Sequence, residues 1–517
     1  MLVYGFFVLR VFFYKIPPNL PFPKGGISPL SRGDKGVCSP LWQRGVRGDF
    51  YNYFYLIMQL TENIINLEKI EEAIKAQENP APAYIRNILK KTEGLAGLSI
   101  HEAAALLNVD DPDLLKELFK TSAIVKEKIY GKRIVLFAPL YLSNECSNNC
   151  LYCGFRRDNK DAKRKTLAMD EAVAEAKFLS QRGYKRLLLV TGEDIRSSDI
   201  EYLIAVIKAI YENTDIRILH INAPPMKTED FRRLKEAGIG VYQSFQETYH
   251  PETYKKMHPS GMKKDYEWRL STMDRAIEAG FDDIGMGALL GLYDYHFEAL
   301  ALIQHARYLE ERFGFGPHTV SVPRLQPASG AVIHKPPYPV TDTEFKKIVA
   351  VYRLAMPYVG IVISTREPKE LRDETIKIGA SQISAGSRTN PGGYTTPNSE
   401  LRTLNSEEQF ETEDHRTLDE MIQVIAKSNN LPSLCTACYR KGRTGKDFRQ
   451  IADKGDIQKY CLPNALLTFQ EYLIDYASEE ARAIGQKVID NAIAKVELKD
   501  FTERMERIKR GERDIYY

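Results

Sequence analysis

From residue 133 to residue 387, short apolar runs alternate with helical stretches, and this alternation leaves the chain few ways to fold. The runs RIVLFAP (133–139), RLLLV (186–190), RILHIN (217–222), GVYQSFQ (240–246), DDIGMGALL (282–290), HTVSVPR (318–324), GIVISTR (360–366) and SQISAGS (381–387) read as strands. They read as unalternating, in the manner of strands buried on both faces. Helical periodicity fills the intervals near 170–183, 198–211, 229–237, 266–279, 295–313, 342–356 and 368–378. Eight such units over about 260 residues match a (β/α)8 barrel in count and length. An open doubly wound sheet would need a glycine fingerprint after its first strand, and the run NECSNNCLYCGF stands there instead.

That run holds Cys146, Cys150 and Cys153 in the spacing Cys-x3-Cys-x2-Cys. A [4Fe–4S] cluster takes one cysteine per iron, so three cysteines leave one iron open to a small molecule. Asn144, Ser147, Asn148, Asn149 and Gly154 favour turns, so the segment reads as a loop. Cys150 and Cys153 alone would also fit half of a zinc site. A second group, Cys435, Cys438 and Cys461, is spaced Cys-x2-Cys-x22-Cys. It again offers three ligands; zinc would need a fourth, and no His lies near in the sequence. Barrel chemistry gathers at the C-terminal ends of strands, which places the first loop at that mouth.

With Cys146 added and Tyr152 just before the last cysteine, the first group resembles the radical S-adenosylmethionine (SAM) superfamily. The strings CSNNCLYC, SFQETYH, GPHTVSVPR, SAGSRTNPGGY, CTACYRKGRTG and CLPNALLTFQEYL together resemble the HydG family of tyrosine lyases, which matures [FeFe]-hydrogenase. The resemblance runs from about Met58 to the end of the sequence. The ThiH-related 2-iminoacetate synthase of thiamine biosynthesis shares the barrel and the tyrosine cleavage, and it lacks the CTACYRKGRTG segment.

The resemblance implies two [4Fe–4S] clusters. One, on Cys146, Cys150 and Cys153, chelates the amino and carboxylate groups of SAM at its open iron. An electron passed to SAM then gives methionine and a 5′-deoxyadenosyl radical. The auxiliary one, on Cys435, Cys438 and Cys461, carries an extra iron joined through a cysteine. Thr191, Gly192 and Glu193 align with the turn that grips the SAM amino group, with Thr at the first position. Glu247 stands where a carboxylate accepts hydrogen bonds from the ribose hydroxyls. Arg269 aligns with the arginine that binds the SAM carboxylate, a task suited to a forked guanidinium. Tyr141, Arg366 and Ser384 are the candidates for holding L-tyrosine. His318 opens the sixth strand, at the barrel end opposite the SAM mouth, and is the candidate ligand of the extra iron; His305 is the reserve. The implied reaction cleaves the Cα–Cβ bond of tyrosine to p-cresol and dehydroglycine, which yields carbon monoxide and cyanide at the auxiliary cluster.

The 517 residues carry 72 basic and 69 acidic side chains, a net charge of +3. Such balance offers no reason to expect nucleic acid or an anionic membrane as partner. Seven cysteines in cluster-like spacing argue for metal ligation in a reducing compartment, the cytoplasm, over secreted disulfides. The apolar run at 1–14 falls short of the roughly 20 residues that span a bilayer, and it lacks a signal peptide's basic start. Residues 1–57 read as an extension outside the working enzyme, with Cys38 not a ligand. Residues 58–131 read as a helical lead-in with Ser99 and Asp111 as caps. The barrel is expected over 132–394. A helical domain with the second cysteine group is expected over 395–517, with a BATS-like region spanning the late barrel and this segment. Expected partners are tyrosine, a reductant such as ferredoxin or flavodoxin, and other hydrogenase maturases. The competing readings are the 2-iminoacetate synthase and a non-catalytic iron–sulfur carrier.

Overall fold

The computed structural model describes residues 64–396 and 408–517; the expectations for residues 1–57 lie outside them. Four helices lead in: α1 (Leu67–Ala76), α2 (Pro82–Thr92), α3 (Ile100–Leu107) and α4 (Pro112–Tyr130). Ser99 closes a capping box with Glu102, and the Asp111 side chain accepts from the backbone of Asp113 and Leu114, so both expected caps form.

Eight parallel strands follow: β1 (Arg133–Ser143), β2 (Arg186–Thr191), β3 (Ile218–Asn222), β4 (Ile239–Gln243), β5 (Ile284–Gly287), β6 (Thr319–Ser321), β7 (Gly360–Ile363) and β8 (Gln382–Ser384). Each pairs with the next, and β1 pairs with both β8 and β2, closing a (β/α)8 barrel. The helices between them are α5 (Met169–Ser180), α6 (Ile200–Asn213), α7 (Thr228–Glu236), α8 (Pro251–Met257), α9 (Tyr266–Leu270), α10 (Thr272–Glu278), α11 (Tyr295–Phe313), α12 (Asp342–Ala355) and α13 (Lys369–Ile378). The single helix expected near 266–279 is two, broken at Ser271, whose hydroxyl donates to the Glu267 carbonyl.

The strands are buried on both faces, as expected, but the two faces differ in composition. Ile134, Leu136, Ala138, Leu140 and Leu142 of β1 pack outward into the main core, as do Leu187, Leu189, Leu219 and Ile221. The intervening residues face the lumen, and many are polar: His220, Gln243, Thr319, Gln382 and Ser384 are all buried. Around the barrel, Gln243, Gly285, Thr319 and Gly360 are successive register partners. A Cβ on Gly285 would meet Gln243 and Thr319, so that layer is filled by polar chains and glycine. Barrel interiors are normally packed with branched apolar residues. The exception here marks a lumen that serves more than stability.

A ninth strand, β9 (Leu431–Ser433), pairs with Arg133, Ile134 and Val135. Val135 also pairs with Gln382, so β9 lies on the other side of β1 from β8, beneath β2. It anchors α14 (Leu418–Lys427), α15 (Ala437–Arg440), α16 (Gly445–Asp453), α17 (Gln458–Asp475), α18 (Glu479–Ile493) and α19 (Phe501–Lys509) at the barrel floor. The described residues form one compact unit. No helix among the described residues is long and apolar enough to cross a membrane.

One part of the last segment lies at the other end. Residues 408–416 run over the C-terminal mouth: Gly154 N donates to the Gln409 carbonyl at 3.0 Å, and Glu413 N to the Thr365 carbonyl at 2.9 Å. Asp414 pins this strap by pairing with Arg372 of α13, and both side chains are essentially buried. Breaking a buried pair leaves an uncompensated charge. Asp414→Ala is therefore expected to lower the folding stability by about 3–5 kcal/mol. Urea denaturation checks this; an unchanged midpoint would contradict it.

Candidate functional site

The first cysteine loop leaves the end of β1, which runs to Ser143, further than its apolar run implies. The loop is held by backbone groups on every side. Ser147 N donates to the Glu193 carbonyl at 3.1 Å, Asn149 N to Ser260 at 3.2 Å and Leu151 N to Met257 at 3.1 Å. Val332 N and Ile333 N both donate to the Leu151 carbonyl. Two glycines permit this closeness. A Cβ on Gly192 would overlap the Glu145 carbonyl oxygen, and one on Gly261, at φ +91°, would run into Asn148.

Every residue expected at the SAM and tyrosine sites lines one cavity: Cys146, Cys150, Tyr152, Cys153, Thr191, Gly192, Glu193, Glu247, Arg269, Tyr141, Arg366 and Ser384. Glu193 is ion-paired with Arg269 and accepts from Asn148 Nδ2 at 2.7 Å. Burial alone would raise the Glu193 carboxyl, but Arg269 and Lys263 outweigh it and hold the group below its ordinary range. Arg269 also donates to Ser244 Oγ at 2.9 Å and the Phe245 carbonyl at 3.1 Å. Glu247 accepts from Lys263 Nζ at 2.6 Å and sits at φ +70°, a strained conformation of the kind that clusters at functional sites. The Tyr152 hydroxyl and His258 Nε2 are 2.8 Å apart. Tyr141 donates to Gln409 Oε1 at 2.7 Å, and Gln409 Nε2 lies 3.9 Å from Cys153 Sγ. The Arg366 guanidinium stacks on Phe410 at 3.2 Å.

Lys263, Gln409 and Phe410 belong to this cavity and have no role in the sequence analysis, where Asn148, also in the cavity, figures only as a turn residue. Asn148 lay inside the cysteine loop and was legible as a neighbour of the thiols. Gln409 and Phe410 carried no local signal, because the strap that delivers them was grouped with the second cysteine site.

The residues fit a cluster with a ligand beside it. Burial pushes the Cys146 thiol up to about 11 and raises Cys150 and Cys153 as well. Bound iron reverses that, since a coordinating thiol is deprotonated outright. Thr191 Oγ1, Arg269 Nε, Ser384 Oγ and Ser387 Oγ are buried and unpartnered, and all four residues face the cavity.

The second triad gathers at the barrel floor. Cys435 follows β9, Cys438 lies in α15 and Cys461 in the first turn of α17. They share a cavity with His318, Arg133, Arg186, Gln382 and Tyr439. Burial pushes the Cys461 thiol up to about 12 and raises Cys435. His318 Nδ1 is buried without a hydrogen bond, 3.4 Å from Asp283 Oδ1. Burial holds the His318 imidazole below its ordinary range despite Asp283, so it presents a neutral ring, the form that binds metal. His305, the reserve candidate, is misplaced: it lies 3.2 Å from Tyr249 Oη in a separate cavity with Arg269 and Met286. No three His, Cys, Asp or Glu among the described residues form a site for a single metal ion. Cluster ligands are instead spread over several irons, one cysteine each.

Residues 140–304 match the radical SAM superfamily, and residues 321–430 the biotin and thiamin synthesis associated domain. The chain is 33% identical to the 2-iminoacetate synthase of Escherichia coli over 320 residues, which cover 62% of this chain and 82% of that one. It is 48% identical to a crystal structure of HydG, a maturase of the [FeFe]-hydrogenase, with TM-score 0.84, covering 88% of this chain and all of that one. The HydG of Carboxydothermus hydrogenoformans superposes with TM-score 0.75 at 43% identity, covering 86% and 98%. Radical SAM proteins use SAM and a [4Fe–4S] cluster, for which the first cavity has the ligands.

Gly192→Ala is expected to push the cysteine loop outward. In the cluster-free chain, Cys146 and Cys150 should then react with a thiol reagent several-fold faster than in the parent. Equal rates would contradict the role given to this close contact.

Proposed function

Since the chain belongs to the HydG family of radical SAM proteins, we propose that it cleaves L-tyrosine at Cα–Cβ and hands the two-carbon product to a second site for hydrogenase H-cluster assembly. The observation that carries this reading is the pair of cysteine triads opening on one barrel from opposite ends, with a polar lumen between them.

At the upper site, Cys146, Cys150 and Cys153 would hold the first cluster, which with SAM supplies hydrogen-abstracting power. Arg269 is poised for the SAM carboxylate, with Glu193 and Thr191 toward the amino group and Glu247 toward the ribose. Among the described residues Arg366 makes no hydrogen bond through its guanidinium, so its fork is available to the carboxylate of tyrosine, beside the Ser384 hydroxyl, which is also unpartnered there. Tyr141 and Phe155 meet edge to face at 5.9 Å and wall the same space. The strap bearing Gln409 and Phe410 covers it and excludes water.

Dehydroglycine would descend past His220, Gln243 and Gln382, which suit a polar molecule better than branched apolar chains would. Cys435, Cys438 and Cys461 would hold the auxiliary cluster, and His318 the extra iron that collects carbon monoxide and cyanide as cargo. A ferredoxin or flavodoxin as reductant, other maturases as partners and a cytoplasmic location belong to the same reading. The second cysteine triad favours it over a dedicated 2-iminoacetate synthase.

Cys150→Ala is expected to abolish p-cresol formation from SAM, reductant and tyrosine. Cys438→Ala should leave cresol standing while carbon monoxide release collapses, as gas capture by haemoglobin would record. Equal loss of cresol in both variants would overturn the division of labour, and cresol without carbon monoxide from the parent chain would favour the synthase.

A further inference from the structure

We propose that Arg133 and Arg186 form a receptor for small α-imino or α-oxo carboxylates at the barrel floor, facing the second cysteine triad. The proposal rests on the reading above, in which a two-carbon imino acid arrives at that site. Arg133 opens β1 and Arg186 opens β2, and both line the cavity with Cys435, Cys438, Cys461 and His318. Arg186 is 5% exposed; one terminal nitrogen donates to the Cys435 carbonyl at 3.0 Å, while its Nε is buried and unpartnered. Arg133 makes no side-chain hydrogen bond to any described residue. Its guanidinium lies 5.4 Å from the centre of the Tyr130 ring, with Nε buried and unpartnered.

Arg133 is half-buried, whereas Arg186 is a buried cation, which persists only where something pairs with it. Among the described residues no Asp or Glu lines this cavity; Asp283, just outside it, accepts from Gly445 N and faces His318. The thiolates draw the two guanidiniums, yet a point-like sulfur engaged with iron does not use a planar fork. A carboxylate does, through two parallel N–H···O bonds. Position supports the same ligand. Leu188 and Val190, the next inward residues up β2, line the upper cavity, so an anion descending the lumen meets Arg186 at its exit. The Tyr439 hydroxyl, also buried and unpartnered, is at hand for the imino or oxo end.

The test uses the full chain with Cys150→Ala, so that the reconstituted protein carries only the second cluster, and it follows that cluster by electron paramagnetic resonance. Glyoxylate, a stable oxo-acid of the same size, should shift the spectrum saturably, and neutral glycolaldehyde should not. Arg133→Gln, which breaks no hydrogen bond, should weaken the glyoxylate response by about tenfold or more with iron content unchanged. Arg186→Lys, which keeps the charge but loses the fork, should weaken it too. An undiminished response in both variants, or an equal response to glycolaldehyde, would overturn the proposal. So would loss of iron from Arg133→Gln, which would make the arginines charge partners of the cluster alone. The titration needs neither tyrosine nor SAM, so it fails separately from the cresol and carbon monoxide assays.

Discussion

The whole arrangement depends on how β1 is hydrogen-bonded. Its upper part pairs with β2, its middle with β8 and its foot with β9. The first two pairings close the barrel. The third fastens the C-terminal helices beneath it. Because one strand makes all three, the loop leaving its top and the cysteine following β9 at its bottom are fixed relative to each other. Cys146 and Cys435 thereby face into one lumen from opposite ends, although 289 residues (435 minus 146) separate them in sequence.

Electrostatics distinguish the two ends. Above, two of the three cations are matched, Arg269 by Glu193 and Lys263 by Glu247, while Arg366 stacks on Phe410. Such pairs hold a site open in a defined shape and can exchange partners with a zwitterionic ligand. Below, no carboxylate of the described residues lines the cavity of Arg133 and Arg186, which they share with the three cysteines. The upper end thus presents paired charges of both signs, and the lower end presents cations with no carboxylate among the described residues lining it. Between them the wall is polar and partly glycine, which forgoes the packing energy a normal barrel core would contribute.

Much of this was legible in the sequence. All eight barrel strands fall within or around their apolar runs, since the outward residues must be apolar to pack under the helix ring. The caps at Ser99 and Asp111 and the grouping of the six cysteines were equally local. What escaped was non-local. The lumen's alternation was hidden because Leu188, Val190 and Val362 keep several inward positions apolar. The three-residue β9 has no periodicity to detect, and Pro432 argues against a strand until its edge position is known. The strap at 408–416 is placed by an ion pair across 42 residues, Arg372 to Asp414, which leaves no trace in a local window. His305 was drawn in only because it is a histidine near the end of a helix.

The central claim is that two separate cysteine triads each hold an iron–sulfur cluster in one chain. Anaerobic reconstitution with iron and sulfide, followed by iron determination, tests it most directly. The account predicts about eight or nine irons per chain. A plateau at about four would mean that only one triad binds a cluster, and the account would fail.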